Sequence, residues 1–369
     1  MNSSKRLLSL DVLRGITISF MILVNTPGSW DYVYAPLEHA AWHGCTPTDL
    51  VFPFFLFIVG LSVWFSFKKY ETKISKQVVS KILKRTVIIF LLGLFLNLFP
   101  FFNFEEVRVM GVLQRIALAY CAGAILCLSF KRSNLFIVLI LILLGYWGVL
   151  YFGSELDSYS LKYNVVRKLD LFVFGEKHIY KGFGIPFDPE GLLSSIPAIG
   201  TVIIGYLTGQ TISAETSNLS QIKKLLAQGS ILVIIGAIWG FFFPINKALW
   251  TSSYVLFTAG LGMLFMAFLI FVIDFKGYSK WSRPFVHFGT NPLFIFVFSG
   301  LYVRTISYLI YVPTSNVGTK ISAYKFLFTE IFSPIAGNMN GSLLFALSHI
   351  LVFWFICFLL YKNKIFIKI

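Results

Sequence analysis

The sequence is short of charge. Of its 369 residues only 13% are Asp, Glu, Lys or Arg, where a soluble domain carries roughly 25%. A chain that is 57% hydrophobic and 18% aromatic cannot cover itself with a water-facing surface, so a soluble globular domain is excluded. Acid is scarcer still: 16 Asp and Glu stand against 31 Lys and Arg, a formal net charge of +15. No basic stripe with interleaved aromatics lies outside the apolar runs, so this excess does not point to nucleic acid. The four cysteines include no CxxC pair and make neither a disulfide framework nor a thiolate metal site. A cleavable leader is not evident either. The first apolar run is broken by Asp11 and Arg14, no small-residue cleavage site follows it, and it reads as a retained helix.

What the sequence has is long apolar runs, such as 133–151. About 20 helical residues cross a hydrocarbon core roughly 30 Å thick. Spans are predicted near 7–27, 49–67, 86–102, 110–130, 133–152, 191–209, 227–243, 251–274, 285–306 and 342–361. The expected fold is an all-α polytopic membrane protein of about ten transmembrane helices, forming one transmembrane domain over 1–369. With the N-terminus inside, most of the 31 basic residues fall in the cytoplasmic segments. These include Lys5, Arg6, the run from Lys68 to Arg85, and Lys362, Lys364 and Lys368. The asymmetry places both termini in the cytoplasm. Two long external segments are expected, at 153–190 and 307–341. No internal repeat or low-complexity stretch is visible.

Ionisable groups inside a bilayer are costly and mark function by default. Asp11 and Arg14 share one face of the first helix. They read either as a locking ion pair with Arg14 reaching towards the interface, or as an inner vestibule where Arg14 holds an anion through its planar fork. Asn25, near the outer end of that helix, suits a cap or an interhelical hydrogen bond, and Arg115 poses the same choice as Arg14. In the first external loop, Thr48 or Asp49 suits the N-cap of the second helix. His39 and His43 stand four apart, the spacing of a two-histidine metal pair, yet no third ligand follows at motif spacing. No metal is expected, and a histidine near a carboxylate at the outer boundary suits proton abstraction. Asp188 and Glu190, with Lys247 and Trp250, cluster acid, ammonium and indole at the external level, as a carbohydrate site would. Capping and an interfacial aromatic belt explain the same residues without a ligand. Asn291, before Pro292, is a candidate pore-lining residue or a hydrogen bond about a proline kink.

The run Leu10-Asp11-Val12-Leu13-Arg14-Gly15 to Asn25, then His39 to Gly44 and Asp49 to Phe55, resembles the heparan-α-glucosaminide N-acetyltransferase family and its bacterial membrane relatives. So do Gly111 to Arg115, Phe187 to Gly191, Asn246 to Trp250 and the C-terminal segment from Tyr361. The resemblance implies transfer of an acetyl group from cytosolic acetyl-CoA to the amine of a glucosamine unit across the membrane. It places the catalytic histidine on His39 and the active-site asparagine on Asn25; from their own placement in the spans, Arg14 and Asn291 are the candidate cofactor contacts. Asp188, Glu190, Lys247 and Trp250 then become substrate contacts, and Asp49, Arg115 and His43 supporting residues. His43 stands where the family commonly has another polar residue, so it competes with His39 for any histidine role. The chain starts almost directly at the first helix, where the lysosomal enzyme has a lumenal region, which favours a small amino sugar or a bacterial glycan as acceptor. The implied setting is a bacterial inner membrane, with lipid as partner and, by family analogy alone, a homodimer. Two alternatives stay open from the residues: a polytopic sugar or acyl transporter, and an O-acetyltransferase of a lipid-linked glycan.

Overall fold

A computed structural model of the chain describes residues 7–71, 74–154, 156–313 and 320–367. Lys5, Arg6, Lys73 and Lys368, counted above in the cytoplasmic set, lie outside them. Thirteen helices follow in order: α1 (Leu8–Asn25), α2 (Val51–Phe67), α3 (Lys76–Leu98), α4 (Val112–Ser129), α5 (Arg132–Phe152), α6 (Val165–Phe174), α7 (Ser195–Ala214), α8 (Asn218–Trp239), α9 (Ser252–Leu269), α10 (Arg283–Thr290), α11 (Pro292–Tyr308), α12 (Ala323–Phe326) and α13 (Ser333–Lys362). The chain is an all-α polytopic membrane protein. Among the described residues eight helical segments are long and apolar enough to cross a membrane, and the pair α10–α11, bent by 74°, makes a ninth. α3 fails that composition test because Lys81, Lys84 and Arg85 crowd its first half. Yet Leu83, Val87, Leu91 and Phe95 form an exposed apolar stripe at every fourth residue, the face a helix turns to lipid. α3 is therefore the tenth crossing, and it starts a full ten residues before the predicted 86.

Small residues let the central helices touch backbone to backbone, the usual packing device where lipid removes the hydrophobic drive between helices. A Cβ on Gly60 of α2 would lie 2.0 Å from Val202 O of α7, and one on Gly205 would lie 2.1 Å from Phe57 O. α1 meets α10 in the same way, with Gly15 against Phe285 O and Gly289 against Asp11 O. Along α1 two hydroxyls are spent inside the helix: Thr17 donates to Leu13 O (2.8 Å) and Ser19 to Gly15 O (2.9 Å). These α1, α2 and α7 contacts set the walls of the site described next.

The expected external segment 307–341 is only partly a loop. Tyr311–Pro313 pairs antiparallel with Lys320–Ser322, Val312 opposite Ile321. α12 then runs through a wide π turn at Leu327–Phe332 into α13, which kinks at Gly337 (φ 73°). Segment 153–190 likewise contains α6, whose cap Asn164 accepts from Arg167 N (2.8 Å).

Candidate active site

The first external loop folds back over the start of α2 because one carboxylate gathers it. Asp49 sits in the turn Pro47–Leu50. Its Oδ2 accepts from the backbone N–H of Ala40 (3.0 Å) and Thr46 (3.1 Å). Its Oδ1 accepts from His39 Nδ1 (2.7 Å). The cap of this turn is Thr46, not Thr48 or Asp49 as expected. Asp49 stands third in the turn, bonds back to Thr46 and is also the partner of the histidine. Asp49 is 1% exposed while His39 is 48% exposed, so the anion is shielded and the imidazole reaches open space. A carboxylate on Nδ1 fixes the proton there and leaves Nε2 as the basic atom. Lys247, from the α8–α9 connection, brings Nζ to 3.0 Å from His39 Nδ1 and 3.4 Å from both His39 Nε2 and Asp49 Oδ1. Burial pulls the Lys247 amine below the ordinary lysine value, and Asp49 and Glu190 oppose that pull.

His43 points elsewhere. Its Nδ1 accepts from Asn246 Nδ2 (3.2 Å), which also holds Trp42 O (2.8 Å). The two histidines thus have different partners, and the geometry separates them where spacing alone could not.

His39, Asp49 and Lys247 border a cavity of about 570 Å³ that Asn25, Trp42, Tyr180 and Glu190 also line. Asn25 is exposed to it, at the end of α1. A second cavity, about 110 Å³, is lined by Arg14, Ser62, Arg85 and Tyr120. Phe55 and Phe296 are walls of both. The two cavities therefore share two aromatic walls, with Arg14 and Arg85 lining one and His39 lining the other. Of the two expectations for Arg14, the locking ion pair is present. Arg14 pairs with Asp11 (3.2 Å), donates to Gly289 O (3.1 Å) and Ser62 Oγ (3.3 Å), and lines the second cavity.

Four of the residues expected at the site do other work. Trp250 is fully buried, with Arg115 over its ring at 4.9 Å and Nε1 donating to Thr201 Oγ1 (3.4 Å). It offers no face to a sugar. Arg115 is also fully buried, donating to Ser194 Oγ and to Gly191 O (3.4 Å). Asn291 lines neither cavity. Fully buried, it donates to Ile365 O (3.0 Å) and accepts from Ile367 N (2.7 Å), tying the C-terminal segment to the α10–α11 bend. Asp188 is 1% exposed and belongs to Arg108, which donates Nε to Oδ2 (2.9 Å) and Nη2 to Oδ1 (2.7 Å). Arg108 also donates to Glu190, the one of this acid pair that reaches the cavity.

Arg108 and Arg85 are what sequence reasoning missed, each counted only as a charge in a loop. The signal for Arg108 was the buried acid excess at Asp188 and Glu190, since buried charge must be paired. Both carboxylates raise the Arg108 guanidinium above its ordinary value, against the pull of burial. Removing it strands two shielded anions. Arg108→Ala should therefore cost roughly 3–5 kcal/mol of stability, read as a lowered Tm in detergent and restored in part by Asp188→Asn.

A third acid supports the same corner. Asp170 of α6 accepts from Leu192 N (2.9 Å) while Oδ2 has no partner. Burial raises its pKa to about 7. A carboxyl raised in the folded state adds stability that is complete below its unfolded value and is lost as pH climbs through the folded one. Thermal stability should fall between about pH 4 and pH 7, and Asp170→Asn should flatten that part of the profile.

Two kinds of similarity bear on the family of this chain. The family profile described as heparan-alpha-glucosaminide N-acetyltransferase, catalytic, matches residues 6–239. Human heparan-alpha-glucosaminide N-acetyltransferase is 28% identical over 354 residues, 79% of this chain and 52% of that protein. The mouse protein of the same name is 26% identical over 357 residues, 80% and 53% respectively. The chain spans about half the length of these curated relatives. The profile match covers α1 to α8 and every residue that the His39–Asp49 corner draws from the first external loop. This chain belongs to the heparan-alpha-glucosaminide N-acetyltransferase catalytic family.

Proposed function

We propose that the protein is a transmembrane acetyltransferase that moves an acetyl group from cytosolic acetyl-CoA to the amine of glucosamine, or of a glucosamine-terminated glycan, on the external side. The observation that carries this is a pair of cavities that share Phe55 and Phe296, with Arg14 and Arg85 lining one and the His39–Asp49 pair lining the other. The cavity of Arg14 and Arg85 fits the donor: two guanidiniums suit phosphates, and buried Arg85 Nε has no partner of its own. The shared apolar walls, Phe55 and Phe296, suit an uncharged thioester arm.

His39 takes the proton of the attacking amine on Nε2, with Asp49 holding the ring and steadying the imidazolium that forms. The nitrogen bonds to the acetyl carbon, and the carbonyl electrons move to oxygen. Asn25, at the outer end of α1, donates its amide to that oxyanion. The C–S bond then breaks, and the thiolate takes up a proton and departs towards the cytoplasm. Lys247 neutralises Asp49 and closes the outer wall. Glu190 and Trp42 face the acceptor in place of Asp188 and Trp250. The setting is an inner membrane whose outer leaflet faces the acceptor.

The test is product formation by purified protein in detergent with labelled acetyl-CoA and glucosamine. Labelled N-acetylglucosamine is the expected result. A parent protein that binds acetyl-CoA yet acetylates no amine would overturn the reading. Asn25→Ala should lower kcat by about 10²–10³, the usual loss for one oxyanion donor, with little change in the KM for glucosamine.

A further inference from the structure

Beside the catalytic cavity lies a second outer chamber of about 260 Å³, between α1, α3, α4 and α11. Asn25, Arg108 and Phe296 are common to both. Its lining holds two arginines, Arg108 and Arg304, together with the amides of Asn97 and Gln114, and no acid. Glu190 faces the catalytic cavity instead.

Two groups in the chamber have unspent donors. Gln114 is 1% exposed, yet among the described residues its Nε2 has no hydrogen-bond partner. The backbone makes room for this amide: a Cβ on Gly93 would meet Gln114 Oε1 at 2.5 Å, and one on Gly111 at 3.0 Å. A buried unsatisfied donor costs about 1–3 kcal/mol, so its retention needs a reason. Arg304, half-buried in α11, donates one Nη1 proton to Phe99 O (3.1 Å). Among the described residues no carboxylate pairs with it, and a second cation, Arg108, lines the same chamber. The bland alternative is an arginine reaching out to the interface. That does not fit a guanidinium turned onto the chain's own carbonyl at a cavity wall. An intramembrane cation without a counter-ion, next to an orphaned buried N–H, is built to receive a negative oxygen group.

We propose that this chamber is an oxyanion subsite, which takes a phosphate, sulfate or carboxylate group while the amine of the acceptor lies at His39. Arg304 supplies the charge and Gln114 a directed N–H. Arg108 is already committed to Asp188 and Glu190, and it divides the anion from those acids. The chamber adjoins the catalytic cavity along Asn25, so an anionic substituent on the amino sugar can lie there with the sugar still in place. The acceptor class rests on the acetyltransferase reading. The anion site itself does not. The same chemistry is also offered by the phosphate of a lipid headgroup.

The test compares glucosamine, glucosamine 6-phosphate and glucosamine 6-sulfate as acceptors for the full chain. Parent protein should prefer the anionic sugars in kcat/KM by about tenfold or more, as one charge-assisted hydrogen bond allows. The preference should collapse towards one in Arg304→Gln, survive in part in Arg304→Lys, and weaken in Gln114→Leu. No preference in the parent, or an undiminished one in all three variants, overturns an acceptor-borne anion. Binding of inorganic phosphate by calorimetry is measured separately, expected in the parent and lost in Arg304→Gln. If no amine is acetylated but phosphate binds in this Arg304-dependent way, the acetyltransferase reading falls and the subsite stands. Anionic phospholipid retained through purification by the parent but not by Arg304→Gln, without any acceptor preference, assigns the oxyanion to a headgroup. If neither phosphate nor lipid depends on Arg304, there is no subsite.

Discussion

His39→Ala should lower acetyl transfer to glucosamine by about 10²–10⁴-fold, the range general-base catalysis supplies, while binding of acetyl-CoA in the cavity of Arg14 and Arg85 persists. The reason is geometric. His39 is the one histidine lining the outer cavity, it is exposed to that cavity, and its Nδ1 proton is held by a carboxylate that water does not reach. His43, whose ring accepts from Asn246 outside that lining, should tolerate alanine far better. Steady-state rates of labelled product for the two variants, with donor binding measured alongside, decide the matter. Comparable losses in both, or full activity without His39, would remove the histidine from the chemistry.

Gly60→Val should prevent recovery of properly folded protein, or lower its stability by about 3 kcal/mol or more, the upper part of the range for overpacking. The first atom a new side chain meets is not a yielding rotamer but the carbonyl oxygen of Val202, at 2.0 Å, with the Cα of Gly205 at 2.9 Å. α2 and α7 would have to part. α2 follows directly on the turn that carries Asp49, so separation there also displaces the histidine's partner. Gly145→Val is the control, because a Cβ at Gly145 meets nothing within 4 Å. Size-exclusion profiles and Tm in one detergent compare the two; a monodisperse Gly60→Val of parental Tm would refute the close crossing.

The membrane fold was legible because an apolar run of about 20 residues is as long as a bilayer core is thick and has little use elsewhere in a folded chain. Its edges were less so. The first half of α3 carries basic residues that mask its lipid-facing stripe from any local hydropathy reading, and only the spacing of Leu83, Val87, Leu91 and Phe95 reveals it. The π turn at Leu327–Phe332 leaves no signature that composition could show. At the site, the His39-to-Asp49 pairing was within reach: a histidine and a carboxylate at the mouth of one span. What sequence could not supply was the third dimension of charge. Asp188 and Trp250 carry the right chemistry for a sugar, yet each is covered by an arginine, Arg108 and Arg115, that lies far from it in the chain. Asn291 failed for a related reason, its amide being used by backbone 74 and 76 residues further on.

The aromatic pair Phe55 and Phe296 also bears on the electrical state of the membrane. A water-filled passage would let ions run down the potential, each elementary charge releasing about 2.3 kcal/mol per 100 mV. Apolar walls of this kind shed water and turn back hydrated ions. The rings shared by the two cavities therefore suit the proposed transfer, in which a neutral two-carbon unit rather than an ion would pass between the two sides of an energised membrane.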